Sequence, residues 1–461
     1  MKGCSTWSYA PYCPLLGETG DIYICRIAPG EKSICLEWLD VGEECTVFCR
    51  QKGQEEFILA GKTRDSAWDI VGLDTETDYE FYVSAPGKIS RVRLARTGCA
   101  VGTVVNYLHP EDEVYSFSGR YLCSPSLVRH PDGFLLASMD VYAGGHPQNL
   151  TLIFRSDDDG ESWHYVSELM PCFWGKLFVH RGELYMLGCS TEYGDLLIGR
   201  SDDGGKTFSA PVALLRGANG KNGSCGVHKN PQNMLIHNGR LYGTLEWGAW
   251  ANKAYGHAAM VMSCDVNADL LDPASWHFSE PRPFAPFVPT LEGMKSNTMT
   301  IEGTLACTPD GALLDIMRFG LRNSVIAYRV NTEDPDAPLD FDRLIRFEAN
   351  FSKFMIKRDA VSGRYYSIAS RLYGDCPNSA RNLLSLMVSP DLEHWSVACD
   401  LLDYRHLDPN AVGFQYVDFF IEGDDILFQS RTAFNRAHNF HDSNFATFHR
   451  IRNFRSLLTE A

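Results

Sequence analysis

Between residues 31 and 98 apolar and polar positions alternate in short runs, SICLEW, TVFCRQKG, WDIVGLDTETDYEFYVSA and SRVRLARTG, with turn residues between them. Such alternation marks strands buried on one face, so this stretch predicts a small β-sandwich. From residue 99 the pattern changes to a degenerate repeat of roughly 50–65 residues, each unit holding three or four short apolar strands separated by Gly, Asp and Asn turns. Six strand pairs stand out: CSPSLVRHPDGFLLASMD, FWGKLFVHRGELYMLGCS, PQNMLIHNGRLYGTLEW, IEGTLACTPDGALLDIMRF, KFMIKRDAVSGRYYSIASR and FQYVDFFIEGDDILFQSR. Repeats of this length and content predict an all-β chain whose larger part is a β-propeller, six-bladed, with seven blades the alternative. The last unit ends at NFATFHRIRNF with little chain left for an outermost strand, so GTVVNYL at 102–108 is expected to supply it and close the ring. The expected division is 1–98 for the N-terminal segment and sandwich and 99–461 for the propeller.

The charge balance narrows the partners. The 461 residues carry 58 acidic and 42 basic side chains, a net charge of −16. A surface of that sign has no general attraction for phosphate backbones or anionic lipid, so neither nucleic acid nor a membrane is expected as a partner. No run of about 18 apolar residues is present, and the opening MKGCSTWSYAPYCPLLGETGD holds no apolar core of signal-peptide length. The 15 cysteines are odd in number, scattered through apolar stretches (Cys123, Cys172, Cys189, Cys307), and form no CxxC pair. They read as reduced thiols, which predicts a cytoplasmic location.

Two segments, Ser156-Asp157-Asp158-Asp159-Gly160-Glu161-Ser162-Trp163 and Ser201-Asp202-Asp203-Gly204-Gly205-Lys206-Thr207-Phe208, fit SxDxGxxW/F. A weaker copy runs from Ser389 to Trp395, and a stretched one from Ser263 and Asp265 to Trp276. As a turn the motif is chemically sensible: Ser and Asp oxygens accept from turn amides, Gly takes a backbone angle other residues resist, and the aromatic plugs the space between units. These segments resemble Asp boxes, and the chain resembles the sialidase-like, or BNR-repeat, β-propellers. In the N-terminal part, Gly72-Leu73 with Thr77, Tyr79, Phe81 and Val83 resembles the fibronectin type III pattern, in which a Tyr near a strand corner caps the core. That domain is expected to be a spacer.

Innermost propeller strands deliver side chains to one central mouth, so equivalent positions in different units should converge. At the end of the second strand three units offer Arg318, Arg371 and Arg431, while earlier units offer Glu192, Tyr193 and Glu246. Three guanidiniums converging in one mouth would make a trap for a carboxylate. The resemblance to sialidases sharpens this. TIEGTLACTPDGALLDIMRF looks like the stretch in which a Glu opens a strand and an Arg closes the next, which implies roles for Glu302 and Arg318. GFQYVDFFIEGDDILF looks like the stretch that begins with the catalytic Tyr, which implies Tyr416. The resemblance implies that Tyr416 attacks the anomeric carbon, that Glu302 takes its proton, and that arginines, Arg371 among them, hold the sugar carboxylate.

Two departures bear on the substrate. Cys123 stands where the first-unit arginine of the family belongs, with Arg120, Lys176 or Arg431 as replacements, and no Asp precedes the first Asp box at the place of the catalytic acid. His146, beside Gln148 and Asn149, is the expected proton donor. A further polar cluster, Arg436, His438, His441, Asp442 and Asn444, joins His228-Lys229 as candidate substrate-binding groups. The HxxH spacing of His438 and His441 lacks a third clear ligand, so no metal or other cofactor is expected. The leading expectation is an exo-glycosidase that hydrolyses a terminal carboxylated sugar from an acidic oligosaccharide or glycoconjugate. The alternatives are a lyase that cleaves beside a uronic acid and a non-catalytic glycan-binding propeller.

Overall fold

The computed structural model describes Trp7 and residues 20–252, 254–284 and 299–457. Near the N-terminus two sheets face each other. One contains Ile24–Pro29, Ser33–Trp38 and Ala67–Val71; the other contains Ile58–Thr63, Cys45–Gln51, Asp78–Ala85, Lys88–Ile89 and Arg93–Arg96. Burial follows the alternation read from the chain: Ile34, Leu36 and Trp38 of one sheet and Val47, Cys49, Phe81 and Val83 of the other form a shared core.

Six sheets follow among the described residues, each an antiparallel meander beginning with an inner strand. Their inner strands are Tyr121–Arg129, Phe173–His180, Gly226–His228, Thr300–Cys307, Ile356–Arg358 and Gly413–Glu422. The sixth sheet takes its outermost strand from far upstream: Thr103–Tyr107 pairs antiparallel with Phe445–Ile451, with Phe445 opposite Tyr107 and Ala446 opposite Asn106. The ring is thereby closed by the segment expected to close it, which covers the outer edge of Phe445–Ile451. The outer side of this closing strand is covered in turn. Arg26 of the sandwich donates from Nε to Val105 O (2.9 Å) and from Nη2 to Val104 O (3.0 Å). Val104, Tyr107 and Phe445 complete the sandwich core.

The two clear SxDxGxxW/F segments make the same bonds. In the first, Gly160 N–H donates to Ser156 Oγ (2.8 Å), and Ser162 N–H donates to Asp158 Oδ1 (2.9 Å). In the second, Gly205 and Thr207 do likewise to Ser201 and Asp203 (2.8 and 2.9 Å). Gly160 has φ +93°, and a Cβ there would stand 2.0 Å from the Phe448 ring, so both the angle and the approach demand glycine. Trp163 is fully buried, with its ring 5.5 Å from Phe448 in the sixth sheet, and it links the two ends of the ring. The thirteen described cysteines are free thiols.

Candidate active site

Four of the six inner strands carry a one-residue bulge at the same place. The register slips between Cys123 and Ser126, Phe173 and Lys176, Ile301 and Gly303, and Gln415 and Asp418. In each bulge one residue takes a left-handed backbone: Ser124 (φ 51°), Trp174 (51°), Glu302 (60°) and Tyr416 (56°). A bulge re-aims a side chain that regular alternation would send elsewhere, and a non-glycine left-handed residue is a strained feature that clusters at functional sites.

Two of these re-aimed side chains meet. The Tyr416 hydroxyl donates to Glu302 Oε1 at 2.6 Å. Arg318 Nη1 donates to Glu302 Oε2 at 2.8 Å and to the Tyr416 oxygen at 3.3 Å. Burial raises the phenol above its ordinary range, and the neighbouring Glu302 charge adds to this. For Glu302 burial works in the same direction, but the Arg318 charge and the hydrogen bonds from Tyr416 and Arg318 outweigh it and hold the carboxyl below the usual glutamate value. The pair is thus a protonated phenol beside an ionised carboxylate, which is the arrangement a base needs to activate a hydroxyl.

Two further guanidiniums flank the phenol. Arg431 lies between two rings, 5.1 Å from the centre of Tyr416 and 4.7 Å from that of Tyr142, and its Nη2 donates to the Tyr142 hydroxyl (2.6 Å) and to the His441 carbonyl. Arg381 lies 5.6 Å from the Tyr416 ring and 5.4 Å from Phe440, with Nη1 on Gln415 Oε1. The Nε groups of both Arg381 and Arg431 are buried and have no protein partner. Arg318, Arg381 and Arg431 thus surround the Tyr416 phenol with positive charge, which attracts a carboxylate.

The arginine trio corrects one expectation. Arg371 does not reach the site. Its Nη2 donates to both oxygens of Asp400 (2.8 and 2.9 Å) on the outermost strand of its own sheet, and its Nε donates to Ser385. Arg318 and Arg431 sit within their strands, whereas Arg371 lies one residue beyond Tyr365–Ser370 and turns outward. Arg381, just before the third strand of that unit, takes the place instead. The comparison of second-strand ends could not find it; an Arg opening the third strand in NSARNLL was the available signal.

Lys176 is a second correction, because its ammonium is buried against the Asp418 carboxylate and is not offered to a ligand. Arg120 pairs with Glu113, so of the three replacements for the missing first-unit arginine only Arg431 stands beside the phenol. His228 is buried, with Nδ1 2.5 Å from Glu246 Oε2 and its ring against Trp174. Buried and committed to Glu246, it is not an open ligand. His441 is 2.8 Å from the Tyr142 hydroxyl and 3.0 Å from Asp442; burial and Arg431 lower it to about 4. His438 is exposed, stacks on Tyr121 and meets Asp442 at 2.9 Å. These histidines belong to a rim cluster that orients Arg431 through Tyr142 and the His441 carbonyl. His146 lines a cavity of about 950 Å³ with Gln148, Asn149 and Glu192, whose lining includes neither Tyr416 nor Glu302.

No protein-family model matches this chain, and no curated protein matches it significantly in sequence. Solved structures do match its fold. The Hadza microbial sialidase Hz136 is 14% identical with a TM-score of 0.51, over 94% of this chain and 96% of that one. Leech intramolecular trans-sialidase, complexed with 2,7-anhydro-Neu5Ac, is 10% identical with a TM-score of 0.50, over 96% and 92%. The Penicillium chrysogenum α-L-arabinanase complexed with arabinobiose is 15% identical with a TM-score of 0.50, over 78% and 99%. At such identities the likeness is one of fold, and the chain has the all-β propeller architecture found in sialidases and arabinanases.

Proposed function

We propose that this chain is a retaining glycoside hydrolase that releases a terminal carboxylated sugar from an acidic oligosaccharide or glycoconjugate. The observation that carries the reading is the Tyr416–Glu302 hydrogen bond of 2.6 Å enclosed by three arginines. Arg318, Arg381 and Arg431 bind the sugar carboxylate. Glu302 takes the phenolic proton as Tyr416 O attacks the anomeric carbon, the bond to the leaving oxygen breaks, and that oxygen gains a proton from a donor on the leaving-group side. Water then displaces Tyr416 from the anomeric carbon, giving its proton to the group that protonated the leaving oxygen, and the phenol regains a proton from Glu302. Two displacements at one carbon retain its configuration. A neutral phenol suits this substrate, because an anionic nucleophile would be repelled by the carboxylate it must approach.

His146 is the proposed proton donor, since it borders a cavity large enough for a leaving group. The N-terminal sandwich is read as a fibronectin type III-like spacer, and the free thiols favour a reducing, cytoplasmic compartment. The lyase reading keeps one specific support: His441, an imidazole, stands beside Arg431, the pairing of a base with a carboxylate-neutralising cation that elimination uses. Incubation with carboxylated aryl glycosides and with uronic-acid oligosaccharides separates the two. Release of aryl alcohol with a saturated sugar supports hydrolysis, and absorbance from a 4,5-unsaturated product refutes it.

A further inference from the structure

The two bulges that aim Glu302 and Tyr416 are each held from behind by a buried ionisable side chain. At the first, Gly303 N–H, the amide that follows Glu302, donates to Glu246 Oε1 at 3.1 Å. Glu246 is fully buried, and its other oxygen is fixed by His228 Nδ1 at 2.5 Å. The neighbouring carboxyl, Asp315, is raised well above its ordinary value by burial and by the nearby Glu246 carboxyl. At the second bulge, Lys353 Nζ donates to the carbonyl of Val417, the residue after Tyr416, at 3.0 Å, and to Pro231 O at 3.4 Å. Lys353 is fully buried. Glu246 and Pro231 come from the third unit of the ring, so the first clamp joins the adjacent third and fourth units and the second joins Lys353, at the start of the fifth, to the third and sixth.

The same device recurs at Trp174, where Lys229 Nζ donates to the bulge carbonyl at 2.6 Å. Its recurrence at three of the four left-handed residues shows that the bulges are not held by strand pairing alone. A bulge leaves its extra residue outside the ladder, so its peptide groups need partners from elsewhere. A buried charged or strongly polar group supplies a short, directional bond in a region of low dielectric.

We propose that Glu246 and Lys353 are positioning residues: they fix the base and the nucleophile through the main chain, Glu246 at the amide after Glu302 and Lys353 at the carbonyl after Tyr416. This rests on the assignment of Glu302 and Tyr416 given above. Neither residue touches the reacting atoms, yet a displacement of about 1 Å at either bulge separates phenol and carboxylate and costs on the order of a hundredfold in rate.

The test compares Glu246→Leu, which removes the acceptor, with Glu246→Gln, which keeps an oxygen for Gly303. Two readouts are used in the full chain: kcat and KM on a carboxylated aryl glycoside, and hydrogen exchange of the Gly303 amide. The leucine variant is expected to lose about a hundredfold in kcat with KM within about threefold, and to exchange Gly303 at least about tenfold faster; glutamine restores both to within about threefold of native. Native exchange and native kcat in a folded Glu246→Leu overturn the proposal, and so does an equal loss in both variants. If Glu246→Leu does not fold, Lys353→Met is read by the ring resonance of Tyr416, assigned with Tyr416→Phe. A shifted resonance supports the clamp and an unshifted one refutes it. Because exchange and ring resonance need no turnover, a native protein inactive on every carboxylated glycoside would refute the reaction while leaving the positioning tested by its own result.

Discussion

Tyr416 and Glu302 lie 114 residues apart in sequence yet share a 2.6 Å hydrogen bond, and both hold left-handed backbone angles at a bulge of an inner strand. Removing the phenolic oxygen leaves the three arginines in place. Tyr416→Phe is therefore expected to lower kcat at least about a thousandfold while the dissociation constant for a carboxylated sugar changes by less than about threefold. Steady-state kinetics with calorimetric binding checks this. Substantial turnover in the variant contradicts the role given to Tyr416.

Arg381 and Arg371 provide a paired comparison within one unit. Arg381 faces the Tyr416 ring and Arg371 faces Asp400. Arg381→Ala should weaken binding of a carboxylated sugar at least about tenfold, because a charge-assisted hydrogen bond is lost at a buried site. Arg371→Ala should leave it within about twofold, since that ion pair is partly exposed and remote from the phenol. The reverse order, measured by calorimetry, would restore Arg371 to the site.

The pH dependence follows from the direction in which Glu302 is held. Glu302 is held below its ordinary value, near 4.3 in an unfolded chain. Its contribution to stability is therefore present above that value and is lost as pH falls through the lower folded value. The base also stays ionised in moderately acidic solution. The acid limb of kcat/KM, which reports the free enzyme, is expected below about pH 4.3, and Arg318→Met should move it upward. An acid limb that does not move in this variant contradicts the coupling between Arg318 and Glu302.

Much of the architecture is written in the chain because alternation and turn chemistry are local. The sandwich strands, the paired SxDxGxxW/F turns and the closing role of Thr103–Tyr107 could all be read from runs of a few residues. The site was legible only where a side chain lay inside a regular strand or resembled a family stretch, as with Arg318, Arg431, Glu302 and Tyr416. Arg381 escaped because it opens a third strand and converges only in three dimensions. The bulges escaped because no local pattern announces an extra residue at Ser124 or Trp174; their partners, Glu246, Lys353 and Lys229, come from other strands. Lys176 misled because a lysine in an inner strand looks the same in sequence whether it meets a ligand or Asp418.

The sandwich and the ring share more surface than the expected division at residue 98 implies. Chain 99–461 alone should fold, but with a Tm lower by about 5–10 °C, since Val104, Tyr107 and Phe445 lose apolar cover and the carbonyls of residues 104 and 105 lose Arg26. Calorimetry of the truncated chain checks this. An unchanged Tm contradicts the importance of that contact.

The central claim is that a tyrosine oxygen becomes bonded to the sugar, and a covalent trap tests it most directly. A carboxylated glycosyl fluoride with a second fluorine beside the anomeric carbon slows the breakdown of the intermediate more than its formation, so the adduct accumulates and can be located by mass spectrometry of peptides. The account predicts one glycosyl group per chain, on the peptide that contains Tyr416, and none in Tyr416→Phe. An adduct on another residue, or no adduct from a protein that nonetheless cleaves the substrate, would contradict it.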